Sequence, residues 1–168
     1  MADLFIGIDP GVSGAVALYC PATGFLDVFD VPHYLVSVGG RKRRRVDIPS
    51  LIANLGDTGD DRIVAGCVEA VGPMPRDGVA SAFAFGEAFG AIKGCLAAAH
   101  VPFELVAPAR WKREFGLGGK RGTDAADDAR AIVSQIVPRH ADLFRRKKDH
   151  NRADAALLAI YCARNFRA

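Results

Sequence analysis

Short apolar runs separated by turn residues open the chain, and this pattern predicts β-strands. The first run covers residues 4–8 and stops at Asp9-Pro10-Gly11, and apolar residues resume over 15–19. A third run covers 25–31, after a turn at 21–24. Apolar runs bounded by Pro and Gly are typical of strands joined by tight turns, so we expect three antiparallel strands at the start of the fold.

The rest of the pattern alternates between helices and strands. Apolar spacing and capping residues predict helices, and two further apolar runs predict buried strands. The predicted elements are a basic loop at 39–45, helices at about 48–55, 79–99, 123–137 and 149–165, a short helix starting at 108, and strands at 63–68 and 101–106. This order suits an α/β fold with a mixed five-stranded sheet, three strands antiparallel and then two parallel, and helices on both faces.

Length and composition restrict the class of protein. The 168 residues, 50% of them hydrophobic, suit one domain over 1–168 with a single packed core. Four cysteines lie far apart without a C-x-x-C pair, which indicates neither a zinc site nor a disulfide framework. There is no secretory signal and no apolar run of about 18 residues, so we expect no membrane segment and a cytoplasmic or organellar location.

Positive charge is clustered rather than spread along the chain. The net charge is +3, and the cations gather near 41–45, 110–121 and 145–152. One such run is often only a solvated surface, but three together point to a polyanion. The run at 41–45 is interpreted as a mobile arm that neutralises phosphates, because adjacent cations repel one another unless an anion or water separates them. The candidate contacts to such a polyanion are Arg41, Lys42, Arg43, Arg44, Arg45, Arg110, Lys112, Lys120, Arg121, Lys147 and Lys148.

Two acidic residues directly follow predicted strands. Asp9 comes at the end of the first strand, before a Pro-Gly turn, and Glu69 ends the fourth. Each alone is more often a turn residue than a functional one. If the two strands are parallel neighbours, however, both carboxylates reach the carboxyl edge of the sheet, where open α/β sheets gather ligands.

The last predicted helix adds a third acid. His150 and Asp154 are one helical turn apart and share a face, and Asp154 is followed by Ala155-Ala156-Leu157-Leu158-Ala159, a sequence suited to burial. An acid near the start of a helix can instead stabilise the helix through a favourable interaction with the positive end of its dipole. A buried carboxylate nevertheless needs a partner, and converging carboxylates are what Mg²⁺ or Mn²⁺ requires. Two such ions about 4 Å apart can hydrolyse a phosphodiester without a covalent protein intermediate.

The order of these motifs resembles that of the RuvC-type Holliday junction resolvases over nearly the whole chain. The matching segments are Gly7-Ile8-Asp9-Pro10-Gly11-x-Ser13-Gly14, Val68-Glu69, Gly86-Glu87-Ala88-Phe89-Gly90, Pro108-x-x-Trp111-Lys112 and Arg152-Ala153-Asp154-Ala155. The resemblance implies a ribonuclease H-like fold, a homodimer, branched DNA as substrate, and Mg²⁺-dependent paired nicking with Asp9, Glu69 and Asp154 as metal ligands and no small-molecule cofactor. Actin-like ATPases share the first motif, but 168 residues do not provide their second domain.

The fourth metal ligand is left open by the sequence. Bacterial resolvases of this family carry an Asp three residues before the last acid, where this chain has Asn151. His150 instead resembles the chloroplast and phage-like relatives, so His150 is the first candidate and Asp149 the second. On helix geometry both His150 and Asn151 share a face with Asp154, whereas Asp149 is rotated away. Imidazole is the better ligand or water-holding group.

Further residues have both functional and structural interpretations. Lys112 and Lys120 are candidates to contact the scissile phosphate, as lysines in this region do in the family, or are plain surface lysines. The segment 72–75 could push an apolar wedge into a junction, or it is a stiff loop. Phe83, Phe85 and Phe89 are expected in the core or at a dimer contact rather than stacked on bases, because a helix rich in Ala and Gly favours close packing.

Two other functions compete with junction resolution. One is a related nuclease acting on forks, flaps or RNA. The other is an inactive junction-binding module, although retention of three carboxylates that would face phosphate argues against it.

Overall fold

The computed structural model describes residues 1–72, 78–117 and 125–166. The strands in these ranges are β1 (Asp3–Asp9), β2 (Ala15–Cys20), β3 (Phe25–Asp30), β4 (His33–Val38), β5 (Arg41–Val46), β6 (Arg62–Glu69) and β7 (Phe103–Val106). The main sheet has the order β3-β2-β1-β6-β7. Strands β1, β2 and β3 pair antiparallel, and β6 and β7 join parallel, which confirms the predicted mixed five-stranded sheet.

The helices lie close to their predicted positions. They are α1 (Ile48–Gly56), α2 (Val79–Ala98), α3 (Pro108–Glu114), α4 (Ala125–Ile136) and α5 (His150–Asn165). Two 3-10 helices, Pro138–Phe144 and Lys147–Asp149, occupy the connection between α4 and α5. Asp47 caps α1 as predicted, because its side chain accepts a hydrogen bond from the backbone N of Ser50 at 3.2 Å. The cap predicted at Thr123 lies outside the described residues.

The basic segment at 41–45 is a strand, and the prediction of a loop is wrong. Strand β5 pairs antiparallel with β4, and Val38 lies opposite Arg41 across a two-residue turn. Gly39 and Gly40 both have positive φ, 56° and 74°, as this kind of hairpin turn requires. Consecutive cations hid the strand from pattern analysis, because charged side chains on both faces of an exposed ribbon remove the apolar alternation that marks a strand.

Helices cover both faces of the sheet, as predicted. On one face α5 packs against β1, β2 and β6, with nine of its sixteen residues buried. On the other face a second core joins Ile6 and Ile8 of β1 to α1 and α2, through Leu51, Ile92 and Leu96. The sheet is therefore enclosed between two helical layers, with its carboxyl edge left for a site.

Helix α2 is only partly covered. Its buried residues are Ala88, Ile92, Cys95 and Leu96, whereas Phe83 is 71% exposed. By length and composition alone, α2 is apolar enough to cross a membrane, with 22% of its apolar window buried. Glu87 and Lys93 interrupt it, so no uninterrupted apolar run in the helix reaches that length.

Candidate active site

Asp9 and Glu69 end neighbouring parallel strands. The last register pair between β1 and β6 is Ile8 with Val68, and each acid is the next residue of its strand. Both carboxylates therefore leave the sheet at the same edge, as expected from the sequence. Glu69 is only 7% exposed, so its side chain needs specific partners.

Gly7 allows the third acid to approach. A Cβ atom at Gly7 would lie 2.2 Å from the backbone O of Ala155 and from the backbone N of Ala159, so only glycine lets α5 rest directly on β1. Because Asp154 precedes Ala155, this contact fixes the height of Asp154 over the sheet. Asp9 and Asp154 are close enough that the charge of Asp154 raises the pKa of Asp9.

Helix α3 supplies the polar partners of these acids. Trp111 is fully buried, and its indole N–H donates a hydrogen bond to Oε1 of Glu69 at 3.0 Å. The Nζ of Lys112 lies 3.8 Å from Oε1 of Glu69 and 3.8 Å from Oδ2 of Asp154. Lys112 therefore joins two of the three acids. The sequence places Trp111 in a motif, but sequence reasoning assigned it no role, since nothing local indicates that its indole reaches β6.

Burial and neighbouring carboxylates disfavour the ionisation of Asp9 and of Asp154. Burial raises the pKa of Asp9 to about 8, and the charges of Glu69 and Asp154 add to this effect while Lys112 opposes it. Burial also raises the pKa of Asp154 to about 6, against the opposing charge of Lys112. Carboxylates placed in this way ionise together only when further positive charge joins them.

The donor set suits a hard divalent cation. Mg²⁺ and Mn²⁺ prefer carboxylate oxygens, and a cation would offset the mutual repulsion of Asp9, Glu69 and Asp154. In this conformation no three His, Cys, Asp or Glu side chains within the described ranges are arranged to hold an ion. Lys112 instead makes the cationic contacts to Glu69 and Asp154.

Comparisons with known proteins relate this geometry to one family. The chain is 33% identical over 120 residues, 70% of its length, to the chloroplastic Holliday junction resolvase MOC1 of Chlamydomonas reinhardtii. It spans 13% of that protein's length. No protein-family model matches the sequence.

Two solved structures share the architecture. RuvC of Thermus thermophilus in complex with a Holliday junction substrate superposes with a TM-score of 0.56 at 18% identity, covering 96% of this chain and 95% of that one. A second Thermus thermophilus RuvC structure gives a TM-score of 0.55 at 19% identity with the same coverage. The fold is thus the predicted ribonuclease H-like fold of RuvC. The chain is thus similar in sequence to a chloroplastic resolvase and shares the fold of RuvC.

The candidates for a fourth ligand differ in the hydrogen bonds that they already make. The carboxylate of Asp149 is buried and accepts hydrogen bonds from the backbone N of Arg146 at 2.8 Å and from its guanidinium at 2.8 Å. Burial pushes the pKa of Asp149 upward, but the hydrogen bonds and charge of Arg146 outweigh it, and the net pKa is lowered. The side chain of Asp149 therefore closes the start of the 3-10 helix Lys147–Asp149, and its oxygens are occupied.

The other two candidates lie at the start of α5. His150 is exposed, its Nδ1 is 3.3 Å from the backbone O of Lys147, and its charge lowers the pKa of Asp154. Asn151 donates a hydrogen bond from Nδ2 to the backbone O of Ser13, 2.5 Å away. Asn151 thus ties α5 to the turn that follows Asp9, whereas His150 faces solvent near Asp154.

The other predicted DNA contacts that the structure describes lie on α3 and in the turn before α5. Arg110 is exposed and lies over the Tyr161 ring at 5.8 Å, and Lys147 and Lys148 lie in the 3-10 turn before α5. Lys120, Arg121 and the wedge positions 73–75 lie outside the described residues.

The phenylalanines of α2 divide into two groups. Phe85 and Phe89 are half-buried and stack on each other, with ring centroids 6.2 Å apart. Phe83 is exposed, so of its two expected places the core is excluded and the dimer contact stays a prediction. Its two-residue offset from Phe85 turns it away from the sheet on a helix with 3.6 residues per turn.

Proposed function

We propose that the chain is a divalent-metal-dependent DNA endonuclease that resolves four-way (Holliday) junctions, with 1–168 as one nuclease domain. The observation that carries the proposal is the meeting of Asp9, Glu69 and Asp154, from three separate elements, at one edge of a RuvC-type sheet. The names of the MOC1 and RuvC relatives support the choice of substrate.

The proposed metal ligands are Asp9, Glu69 and Asp154, with His150 as the fourth. One or two bound Mg²⁺ ions, or Mn²⁺ in their place, would supply an activated water and offset charge on the phosphate and leaving oxygen. Trp111 holds Oε1 of Glu69 in place, and its buried indole keeps water from that side. Trp111 therefore positions Glu69 before any substrate is bound.

Lys112 is proposed to serve the scissile phosphate. Its side chain is 34% exposed, so its ammonium can leave the carboxylates and contact an incoming phosphate. His150, at the exposed start of α5, is placed to hold or deprotonate a water on the solvent side of Asp154. Lys120 stays a second candidate for the phosphate contact.

The cations around this edge are proposed to bind DNA by its backbone. The hairpin residues 41–45, Arg110 and the pair Lys147 and Lys148 would contact phosphates and give affinity rather than sequence choice. The proposal places the protein in a compartment that holds DNA, the cytoplasm or an organelle.

A homodimer is the proposed assembly, since paired nicks on opposed strands need two sites. Helix α2 offers the face for it: Gly86, Gly90 and Gly94 recur every four residues, and a Cβ at each would meet no atom within 4 Å. Glycines that the monomer does not require for packing allow close approach of a second helix, and exposed Phe83 lies on the same helix.

The test is cleavage of a synthetic four-way junction with Mg²⁺, with the products mapped on all strands. Asp9→Asn, Glu69→Gln and Asp154→Asn should each abolish cutting and leave junction binding intact or stronger, because each removes a ligand charge and relieves repulsion with phosphate. Forks, flaps and RNA–DNA hybrids of matched length are the controls. Preferential cutting of one of these, or binding without cutting, would replace the proposal by the corresponding alternative.

A further inference from the structure

A groove separates the β4–β5 hairpin from the first half of α2. Its volume is about 520 Å³, and it is lined by both cationic and apolar side chains. The cations are Lys42, Arg43, Arg44 and Arg45, and the apolar groups are Val12, Leu35, Ala84 and Phe85. This mixture differs from a simple charged surface, because a ligand in the groove meets positive charge and apolar area together.

The positive charge of the groove is available to a ligand. Arg45 already has an ion-pair partner, since its Nε lies 2.9 Å from Oε2 of Glu87. This ion pair joins the hairpin to α2. Within the described ranges Lys42, Arg43 and Arg44 have no ion-pair partner. Three such cations on a docked hairpin complement a chain of phosphates.

The apolar groups of the groove suit unpaired bases. Leu35 is 61% exposed, and Phe85 is half-buried against Phe89. A duplex presents only phosphates and sugars to such a groove, because its bases are stacked inside. A single strand presents bases as well, and single-strand sites combine a cationic track with aromatic side chains on which bases stack.

The groove leads to the candidate active site. Val12 lines it, and a Cβ at Gly11 would lie 3.5 Å from Cε2 of Phe85. Both residues belong to the turn that follows Asp9. A strand lying in the groove therefore passes directly beside the turn that carries a proposed metal ligand.

We propose that this groove binds an unpaired DNA strand next to the cleavage position, with Lys42, Arg43 and Arg44 on its phosphates and Phe85 and Leu35 against its bases. The inference rests on the proposed nuclease function, because only a nuclease has a cleavage position next to the groove. Binding of a single strand in the groove is independent of cutting and can be measured without metal.

The experiment compares short single-stranded oligonucleotides with and without bases. Wild type and Phe85→Leu are titrated in EDTA with a labelled single strand, an abasic strand of equal length and a duplex. Wild type should bind the base-bearing strand about tenfold more tightly than the abasic one, the size of one base stacked on an aromatic ring. Phe85→Leu should lose that preference and keep its affinity for the abasic strand and the duplex.

Phe25→Leu is the matched control, because Phe25 is an exposed phenylalanine of β3 that does not line the groove. It should behave as wild type, and thermal unfolding should show that both variants are folded. The proposal is refuted if wild type binds the base-bearing and abasic strands equally tightly. It is also refuted if Phe85→Leu keeps the preference for the base-bearing strand. If wild type does not cut a junction but Phe85→Leu loses base-dependent binding, the nuclease proposal is refuted and single-strand binding in the groove is supported.

Discussion

Replacing Asp9 with Asn should stabilise the metal-free protein at alkaline pH while abolishing its proposed activity. In the folded chain burial, with the charges of Glu69 and Asp154, raises the pKa of Asp9 to about 8, from 3.8 as the ordinary value. Asparagine has nearly the same shape and no charge. The substitution therefore removes the repulsion and leaves the packing of β1 against its neighbours almost unchanged.

The sign and size of the effect follow from proton linkage. The folded state holds the Asp9 proton more tightly than the unfolded state, so this group favours the fold below about pH 4 and its contribution is lost as pH rises towards 8. A shift of about 4 units at 1.36 kcal/mol each gives a ceiling of about 6 kcal/mol. Relaxation of the side chain and of Lys112 reduces this, and we expect Asp9→Asn to gain about 2 kcal/mol or more at pH 9.

The assay is denaturant unfolding in EDTA at pH 5 and pH 9. Asp9→Asn should gain more stability at pH 9 than at pH 5, because Asp9 is still protonated in the folded wild type at pH 5. Asp27→Asn, which neutralises an exposed carboxylate of β3, should change stability by less than about 0.5 kcal/mol. Mg²⁺ should stabilise wild type more than Asp9→Asn. If Asp9→Asn is no more stable than Asp27→Asn at pH 9, the three acids do not repel one another as argued.

Three further predictions concern the hairpin, the start of α5 and its contact with β1. Arg43→Ala with Arg44→Ala should weaken binding to every DNA shape and flatten the dependence of log affinity on log salt, and an unchanged slope would show that the hairpin does not touch DNA. His150→Ala should lose most junction cleavage, whereas Asn151→Ala should keep most of it; the reverse pattern would move the fourth ligand to position 151. Gly7→Ala should destabilise the fold by about 3 kcal/mol, since its Cβ would overlap the backbone of α5, and a loss below about 0.5 kcal/mol in chemical unfolding would refute that close contact.

The sequence by itself determined the five-stranded sheet, and it placed two of the three candidate acids at strand ends. An apolar run that ends in a turn is a local event, so Asp9 before Pro10-Gly11 and Glu69 at the end of its run could be placed at strand ends without knowledge of the rest. The apolar run that follows Asp154 likewise indicated a buried helix. These features depend on neighbours within a few residues, which is the range over which patterns carry information.

Only the tertiary structure decided the contacts between distant segments. Trp111 reaches Glu69 across 42 positions, and β5 becomes a strand because β4 pairs with it. Asp149 and His150 are adjacent in the sequence, yet Arg146 takes the carboxylate of Asp149 while His150 is left facing solvent. Which of two neighbouring polar groups stays exposed depends on the partner that the fold brings to each. Such hydrogen bonds depend on three-dimensional distance rather than on position along the chain.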